Sequence, residues 1–151
     1  MLFEIVEMKQ FTGAKAHVYS VILEGEETPL LDQFFEENKA YPKDLKKVTK
    51  RITVMANETG FRRHLIKEGE GAWGDGVFAL DFTGQLRLYG IYFHDAVVLF
   101  GSGGFKPPGA ISYEDHPPLH AKAEQVKAIA KEIYRMIINK ELKVNDDGTL
   151  E

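Results

Sequence analysis

The stretch from Val77 to Lys106 constrains the fold more than any other part of the chain. It reads VFALDFTGQLRLYGIYFHDAVVLFGSGGFK, and its runs of Val, Phe, Leu, Ile and Tyr are separated by the turn-type pairs Thr83-Gly84 and His94-Asp95. Turns this short leave room only for neighbouring antiparallel strands. The stretch therefore predicts a three-strand meander that ends in a glycine run and Lys106.

The middle strand of this meander predicts two chemically different faces. Because side chains alternate along a strand, one face takes Leu86, Leu88, Gly90 and Tyr92, and the other takes Arg87, Tyr89, Ile91 and Phe93. We expect the second face to be half open, so that Arg87, Tyr89 and Lys106 gather on it. The alternative interpretation is an ordinary solvated arginine, since sheets often leave one face in water.

An added hairpin and a short helix are predicted before the meander. Phe3–Lys9 and Lys15–Leu23 indicate two strands joined around Thr12-Gly13. Thr28-Pro29 then supplies an N-cap and a first-turn proline for a short helix through Asn38.

Two further helices complete the predicted fold. Pro42 begins the first, whose apolar residues recur every three or four positions until Gly60 ends it, and Pro117-Pro118 begins a long C-terminal helix. The C-terminal helix carries one apolar stripe, formed by Leu119, Ala123, Val126, Ala130, Ile133 and Ile137. We therefore predict a single α+β domain over residues 1–144 and a polar tail at 145–151 that frays. Its mainly antiparallel sheet should be packed on one side by the helices.

The composition favours an ordinary globular protein of the cytoplasm. With 151 residues, of which 44% are hydrophobic, the chain is large enough to bury roughly two-thirds of its unfolded surface. It contains no cysteine, which excludes disulfides, thiolate catalysis and Cys-ligated metal centres. The start, MLFEIVEMKQ, has acids inside its apolar run, so we expect neither a secretory signal nor a membrane partner.

The charge distribution separates a basic middle from acidic flanks. The net charge of −4 argues against a general nucleic-acid binder. Between Lys43 and Lys67, however, eight basic residues stand against two acids. This segment permits a local site for an anionic ligand, and the alternative interpretation is a solvated helix face.

Two apparent motifs do not meet the requirements of their chemistry. The run Gly101–Lys106 lacks the GxxxxGK[ST] spacing of a phosphate loop and is followed by prolines, so a bulged strand end with positive-φ glycines is the better interpretation. His116 and His120 have helical metal-ligand spacing, but Pro117 and Pro118 place His116 at or before the helix cap. We expect no metal and no cofactor.

The order of elements from Leu30 to Lys106, about half of the chain, resembles the RelE/ParE toxin superfamily, particularly its HigB-like, phage-derived branch. In that branch an R-x-x-Y-x-x strand precedes an apolar strand that runs into a G-F-x-K or F-x-K-K ending. Arg87 with Tyr89 or Tyr92 corresponds to the R-x-x-Y-x-x strand. Ala96–Phe100 followed by Gly104-Phe-Lys106 corresponds to the apolar strand and its lysine ending.

The resemblance implies the toxin of a type II toxin–antitoxin pair, a metal-independent endoribonuclease that cleaves mRNA, often on the ribosome, and is silenced by an antitoxin protein. In such chemistry a ribose 2′-hydroxyl attacks the adjacent phosphate. The site needs cations for the extra phosphorane charge and a group that moves protons.

The resemblance also implies roles for individual residues. Arg87 and Lys106 would stabilise the phosphate, Tyr89 would orient or transfer a proton, and His120 would act as general acid if the last helix returns over the sheet. The implied contacts to the RNA backbone are Lys47, Arg62, Arg63 and Lys67.

The chain departs from the family pattern in ways that leave alternatives open. It has an extra N-terminal hairpin and a net negative charge. It also has Ala79-Leu80-Asp81 at the position where the branch often has E-L-R. A non-catalytic protein-interaction module of the same fold is therefore the second hypothesis. A third is a small-molecule pocket lined by Trp73, Tyr89, Tyr92 and Phe105.

Overall fold

The structure, a computed structural model, describes residues 2–62, 76–80, 84–108 and 116–151. Within these ranges the strands are β1 (Phe3–Glu7), β2 (His17–Leu23), β3 (Val77–Leu80), β4 (Leu86–His94) and β5 (Val97–Phe105). The α-helices are α1 (Leu30–Glu37), α2 (Pro42–Val54) and α3 (Pro117–Ile138), and a π-helical turn (Met55–Thr59) continues α2. The α+β class, the N-terminal hairpin, the meander and the long C-terminal helix are as predicted.

The strands form one sheet in the order β1-β2-β5-β4-β3. Only the central pair, β2 and β5, is parallel; the other three pairs are antiparallel. The meander therefore joins the N-terminal hairpin through a parallel contact, which is possible because α1 and α2 intervene in the sequence.

Helices cover both faces of the sheet, so the expectation of one-sided packing is wrong. One core joins α1, α2 and the π-helical turn to the face that carries Leu86 and Leu88. The other core joins α3 to the face that carries Tyr89 and Ile91. The alternation predicted for β4 is correct, but its second face is apolar enough to require a cover of its own.

The ends of the first two helices differ in how well the sequence predicted them. Gly60 ends the second helical segment with a φ of +75°, as expected for a glycine terminator. Helix α1 has Pro29 rather than Thr28 at its N-cap, with no side-chain cap. Instead, Ser20 Oγ accepts the Leu31 N–H at 3.1 Å and donates to the Phe100 carbonyl at 2.8 Å, which ties the start of α1 to the sheet.

The glycines of β5 permit close packing rather than unusual backbone angles. A Cβ on Gly101 would lie 2.5 Å from Val126 Cγ2 of α3, and a Cβ on Gly103 would overlap the Arg87 carbonyl. The β4–β5 register slips between Leu88 and Gly90, so the predicted bulge is present. The positive-φ glycines of the described residues lie elsewhere, so that part of the prediction is wrong.

The polar tail forms a small hairpin, which corrects the expectation that it frays. Val144 and Leu150 form an antiparallel bridge, and both pack against the core beneath α3. Gly148 fits against the Ala96 carbonyl with a φ of +93°. The Tyr19 hydroxyl donates to the Gly148 carbonyl at 3.2 Å, so the tail is held on the sheet at the start of β5.

Candidate anion-binding site at one end of the sheet

The β4–β5 register brings two predicted site residues to one face. Arg87 pairs with Gly104, and the Lys106 N–H donates to the Gln85 carbonyl at 2.6 Å, which extends the ladder by one pair. Arg87 and Lys106 are therefore diagonal neighbours, a relation that typically separates residues by roughly 7–8 Å. A Cβ on Gly104 would lie 3.7 Å from Leu119 Cδ1, so this face is the one beneath α3.

The Arg87 guanidinium is oriented by the turn that precedes β4. Its Nη1 donates to the carbonyls of Gly84 at 3.1 Å and Leu86 at 3.0 Å, and the residue is half-buried. A guanidinium has five N–H donors, and anchoring one nitrogen to the backbone restricts the direction of the others. Arg87 is therefore neither an ordinary solvated arginine nor a core residue.

Lys106 is more enclosed than the sequence suggested. Only 9% of its surface is exposed, although it follows the end of β5. A charged amine is seldom buried to this extent without polar partners. The burial of Lys106 therefore indicates that groups which stabilise a positive charge lie close to its amine.

The first turn of α3 brings His120 toward the same end. Leu119 packs over Gly104, and the His120 N–H donates to the carbonyl of His116, the N-cap residue, at 2.9 Å. Nδ1 of His120 is buried. Helix α3 therefore returns over the sheet at this end, as a general-acid role of His120 requires. We call Arg87, Lys106 and His120 the cationic end of the sheet.

Tyr89 lies in the core, which corrects the expectation of a half-open face. It is 2% exposed and belongs to the cluster beneath α3. Tyr92 and Phe105 pack against the opposite core, so the structure separates them from Tyr89 and contradicts the shared aromatic pocket. Trp73, the fourth residue of that pocket, lies outside the described residues. The proton-transfer role of Tyr89 stays a prediction, and the burial of its ring does not favour it.

The predicted RNA contacts divide between the two ends of the molecule. Lys47 is exposed on α2, which begins at the cationic end, where Tyr41 stacks on Phe105 at 4.9 Å. Asp44 Oδ2 accepts the Gln85 N–H at 3.4 Å at that same end. Arg62 is also exposed, but it follows Phe61, whose N–H donates to the Asp95 carbonyl at the far end of the sheet. Arg63 and Lys67 lie outside the described residues.

A polar network that the sequence reading missed lies at the far end of the same face. Glu7 Oε2 accepts hydrogen bonds from His17 Nδ1 at 2.8 Å and from Thr12 Oγ1 at 2.9 Å. Burial raises the pKa of the Glu7 carboxyl, but these bonds and the charge of His17 lower it more, and the net pKa lies below its ordinary value. The β1–β2 register indicates this contact, because Glu7 pairs with Tyr19 and His17 is therefore the diagonal neighbour of Glu7.

A second histidine connects this far end to the tail. His94 Nδ1 accepts the Ala96 N–H at 3.1 Å, so its Nε2 carries the proton and donates to the Asn145 carbonyl at 2.9 Å. Burial raises the pKa of Tyr19, whose hydroxyl stays protonated as a donor to the tail. We call Glu7, His17 and His94 the acid–imidazole end.

No protein-family model, curated protein or solved structure matches the chain. Of the helices in the described ranges, none is both long and apolar enough to cross a membrane. Within those ranges there is also no group of three or more His, Asp or Glu side chains with the proximity that a metal ion requires.

Proposed function

We propose that the chain is an mRNA-cleaving endoribonuclease of the RelE/ParE toxin kind, with its reaction centre at the cationic end. The observation that carries the proposal is the convergence of Arg87, Lys106 and the first turn of α3 at one end of the sheet. The basic first half of α2 begins at that same end. We propose that Arg87 and Lys106 on the face beneath α3, with α2 on the opposite face at the same end, give a polyanion local positive charge inside a protein of net negative charge.

The proposed chemistry uses the RNA itself as nucleophile. A base removes the ribose 2′-proton, the 2′-oxygen forms a bond to phosphorus, and the bond from phosphorus to the 5′-oxygen breaks as that oxygen receives a proton. Arg87 and Lys106 stabilise the charge that accumulates on the phosphorane oxygens. His120 supplies the group that changes protonation during the reaction. Lys47 contacts the backbone of the bound strand.

An antitoxin protein and mRNA, read on the ribosome or free, are the proposed partners, and the cytoplasm is the proposed compartment. The non-catalytic interaction module is favoured by one specific observation. Tyr89 is buried and Lys106 is nearly so, which leaves fewer groups in direct reach of a substrate than the family pattern implies.

Inducible expression, with growth and RNA integrity followed together, tests the proposal. The wild-type chain should arrest growth and fragment mRNA, whereas Arg87→Ala should do neither at equal soluble expression. Arg135→Ala is a matched control, because Arg135 is exposed near the C-terminal end of α3 and pairs with Glu132 and Glu141. It should behave as wild type.

Normal growth and intact transcripts at high soluble expression of the wild-type chain would contradict the nuclease and support the interaction module. If the wild type and Arg87→Ala are equally toxic, the chain is a toxin but its reaction centre does not lie at the cationic end.

A further inference from the structure

Tyr41, at the start of α2, is an aromatic side chain that the fold leaves in contact with solvent. Among the described residues it is the one aromatic side chain that is exposed, with 38% of its surface accessible. Its backbone is held, because its N–H donates to the Asn38 carbonyl at 2.9 Å and its carbonyl accepts the Leu45 N–H at 3.0 Å. Tyr41 is therefore an exposed ring on an ordered backbone.

Phe105, at the end of β5, supports one face of this ring. The centroids of the two rings are 4.9 Å apart and their planes differ by 10°, so the rings are stacked. Phe105 is itself partly buried and packs against the core that contains Leu86 and Leu88. Because Phe105 covers one face of the Tyr41 ring, the exposed surface lies on its other face and its edge. A flat aromatic group of a ligand can continue the stack there.

Helix α2 carries a row of lysines that begins two residues after Tyr41. The lysines are all exposed, and they are Lys43, Lys46, Lys47 and Lys50. They lie on the side of the helix opposite the buried Val48 and Ile52, so they project into solvent. The single acid of α2, Asp44, accepts the Gln85 N–H at 3.4 Å. We call these four residues the lysine row.

An exposed, supported ring beside the lysine row fits the chemistry of a single-stranded nucleic acid. The phosphates of such a strand are anionic, and its unpaired bases have flat faces that stack on aromatic side chains. A duplex covers those faces by pairing and stacking, and an acidic peptide has no regular series of them. We propose that Tyr41 stacks against a base of a single strand whose phosphates follow the lysine row.

This site deepens the function proposed above and rests on it for the direction of the strand. Phe105 directly precedes Lys106, whose N–H donates to the Gln85 carbonyl at the same end of the sheet. The lysine row and the cationic end lie on opposite faces there, so a strand that leaves Tyr41 passes round the end of the sheet to reach Arg87. Binding at Tyr41 needs no cleavage.

Fluorescence anisotropy with a labelled strand of about twelve 2′-deoxythymidines tests binding separately from cleavage. This strand has no 2′-hydroxyl, so the proposed reaction cannot cut it. Tyr41→Ala should raise the dissociation constant by roughly tenfold, a loss typical of one stacked base. Tyr41→Phe keeps the ring and should bind as wild type does. Circular dichroism and thermal unfolding of Tyr41→Ala should be checked first.

An abasic strand with the same number of phosphates keeps the test valid even if Tyr41→Ala does not fold. The wild-type protein should bind it roughly tenfold more weakly than the thymidine strand at equal salt.

The lysine row is tested by the salt dependence of binding. Lys43→Gln combined with Lys46→Gln should make the slope of log affinity against log salt shallower by about 1.4, since each phosphate contact to a single strand contributes about 0.7. Lys15→Gln combined with Lys140→Gln is the control, because both lysines are exposed and the change in net charge is the same. It should leave the slope unchanged.

Equal affinity of the wild-type protein for the thymidine and abasic strands would overturn the proposal, as would full binding by folded Tyr41→Ala. Binding of a polyglutamate peptide as tightly as the strand would also overturn it, since this would indicate a surface for acidic proteins. A wild-type protein that binds the strand through Tyr41 but cleaves no RNA would support this site and contradict the nuclease.

Discussion

The sheet face beneath α3 has polar side chains at both ends, and the two ends are built on opposite electrostatic plans. At the acid–imidazole end, the carboxylate of Glu7 meets His17 and Thr12, and the tail supplies carbonyl acceptors to Tyr19 and His94. At the cationic end, Arg87 and Lys106 are diagonal neighbours of like charge.

This difference suggests a way to separate structural from functional polar groups. Opposite charges and matched donors and acceptors stabilise the fold by themselves, as at the acid–imidazole end. At the cationic end, Arg87 and Lys106 place N–H donors of the same charge on neighbouring positions, an arrangement that an anion can bridge. Substitutions at the first end should therefore change stability, and those at the second should change function.

The largest expected effect is on turnover by Arg87→Ala. If Arg87 stabilises the phosphorane, the loss of one oriented cation should lower RNA cleavage by roughly 10²-fold. Stability should fall by about 1–2 kcal/mol, because the Gly84 and Leu86 carbonyls lose a donor and Leu86 is buried. Steady-state cleavage by purified protein, beside its thermal unfolding, measures both. Full activity of the folded variant would remove Arg87 from the site.

The contact of α3 with the sheet, which links the two ends, is tested by a pair of glycines. Gly101→Ala should destabilise the protein by about 2 kcal/mol, because its Cβ would lie 2.5 Å from Val126. Gly104→Ala is the control, because among the described residues its Cβ would meet Leu119 alone, at an ordinary 3.7 Å. Chemical denaturation compares the two. Equal stabilities would show that α3 does not press on β5 as described.

The docking of the tail is tested by Gly148→Ala against Gly25→Ala. Both glycines have positive φ. A Cβ on Gly148 would meet the Ala96 carbonyl, whereas a Cβ on Gly25 would have no neighbour among the residues that the structure describes. We expect Gly148→Ala to cost about 1–2 kcal/mol more than Gly25→Ala. Hydrogen exchange should show faster exchange at the Lys143 and Asn145 amides in Gly148→Ala alone. Unchanged protection there would contradict a docked hairpin.

The smallest expected effect is the pH dependence of Glu7→Gln. Because the folded-state pKa of Glu7 is lowered, its contribution is fully present above the ordinary value of 4.5 and is lost as the pH falls through the lowered pKa. Glu7→Gln should therefore be less stable than wild type by about 1 kcal/mol at pH 7. The difference should shrink below pH 4.5. A pH-independent difference in urea denaturation would rule out this linkage.

Sequence periodicity predicted the elements better than their surroundings. The turn pairs and the alternation of β4 identified the meander. The predicted stripe of α3 identified five of its six buried residues, missing Ile129 and including Ile137, which is only partly buried. The alternation of side chains along a strand predicts which residues share a face of the sheet, but not which element covers that face. It therefore does not predict the burial of Tyr89. Polarity alone predicts a frayed tail, because the contacts that order it are made to residues 51 to 129 positions away in the sequence.

The central claim is that the cationic end cleaves RNA by activating the 2′-hydroxyl, and the chemistry of the cut ends tests it most directly. Purified wild-type protein, incubated with a defined RNA in the presence of a chelator, should leave 2′,3′-cyclic phosphate or 3′-phosphate ends and 5′-hydroxyl ends. A matched RNA with a 2′-deoxy sugar at the cleavage position should stay intact. Products with 5′-phosphate ends, cleavage of the deoxy substrate, or loss of all cleavage in the chelator would contradict the account.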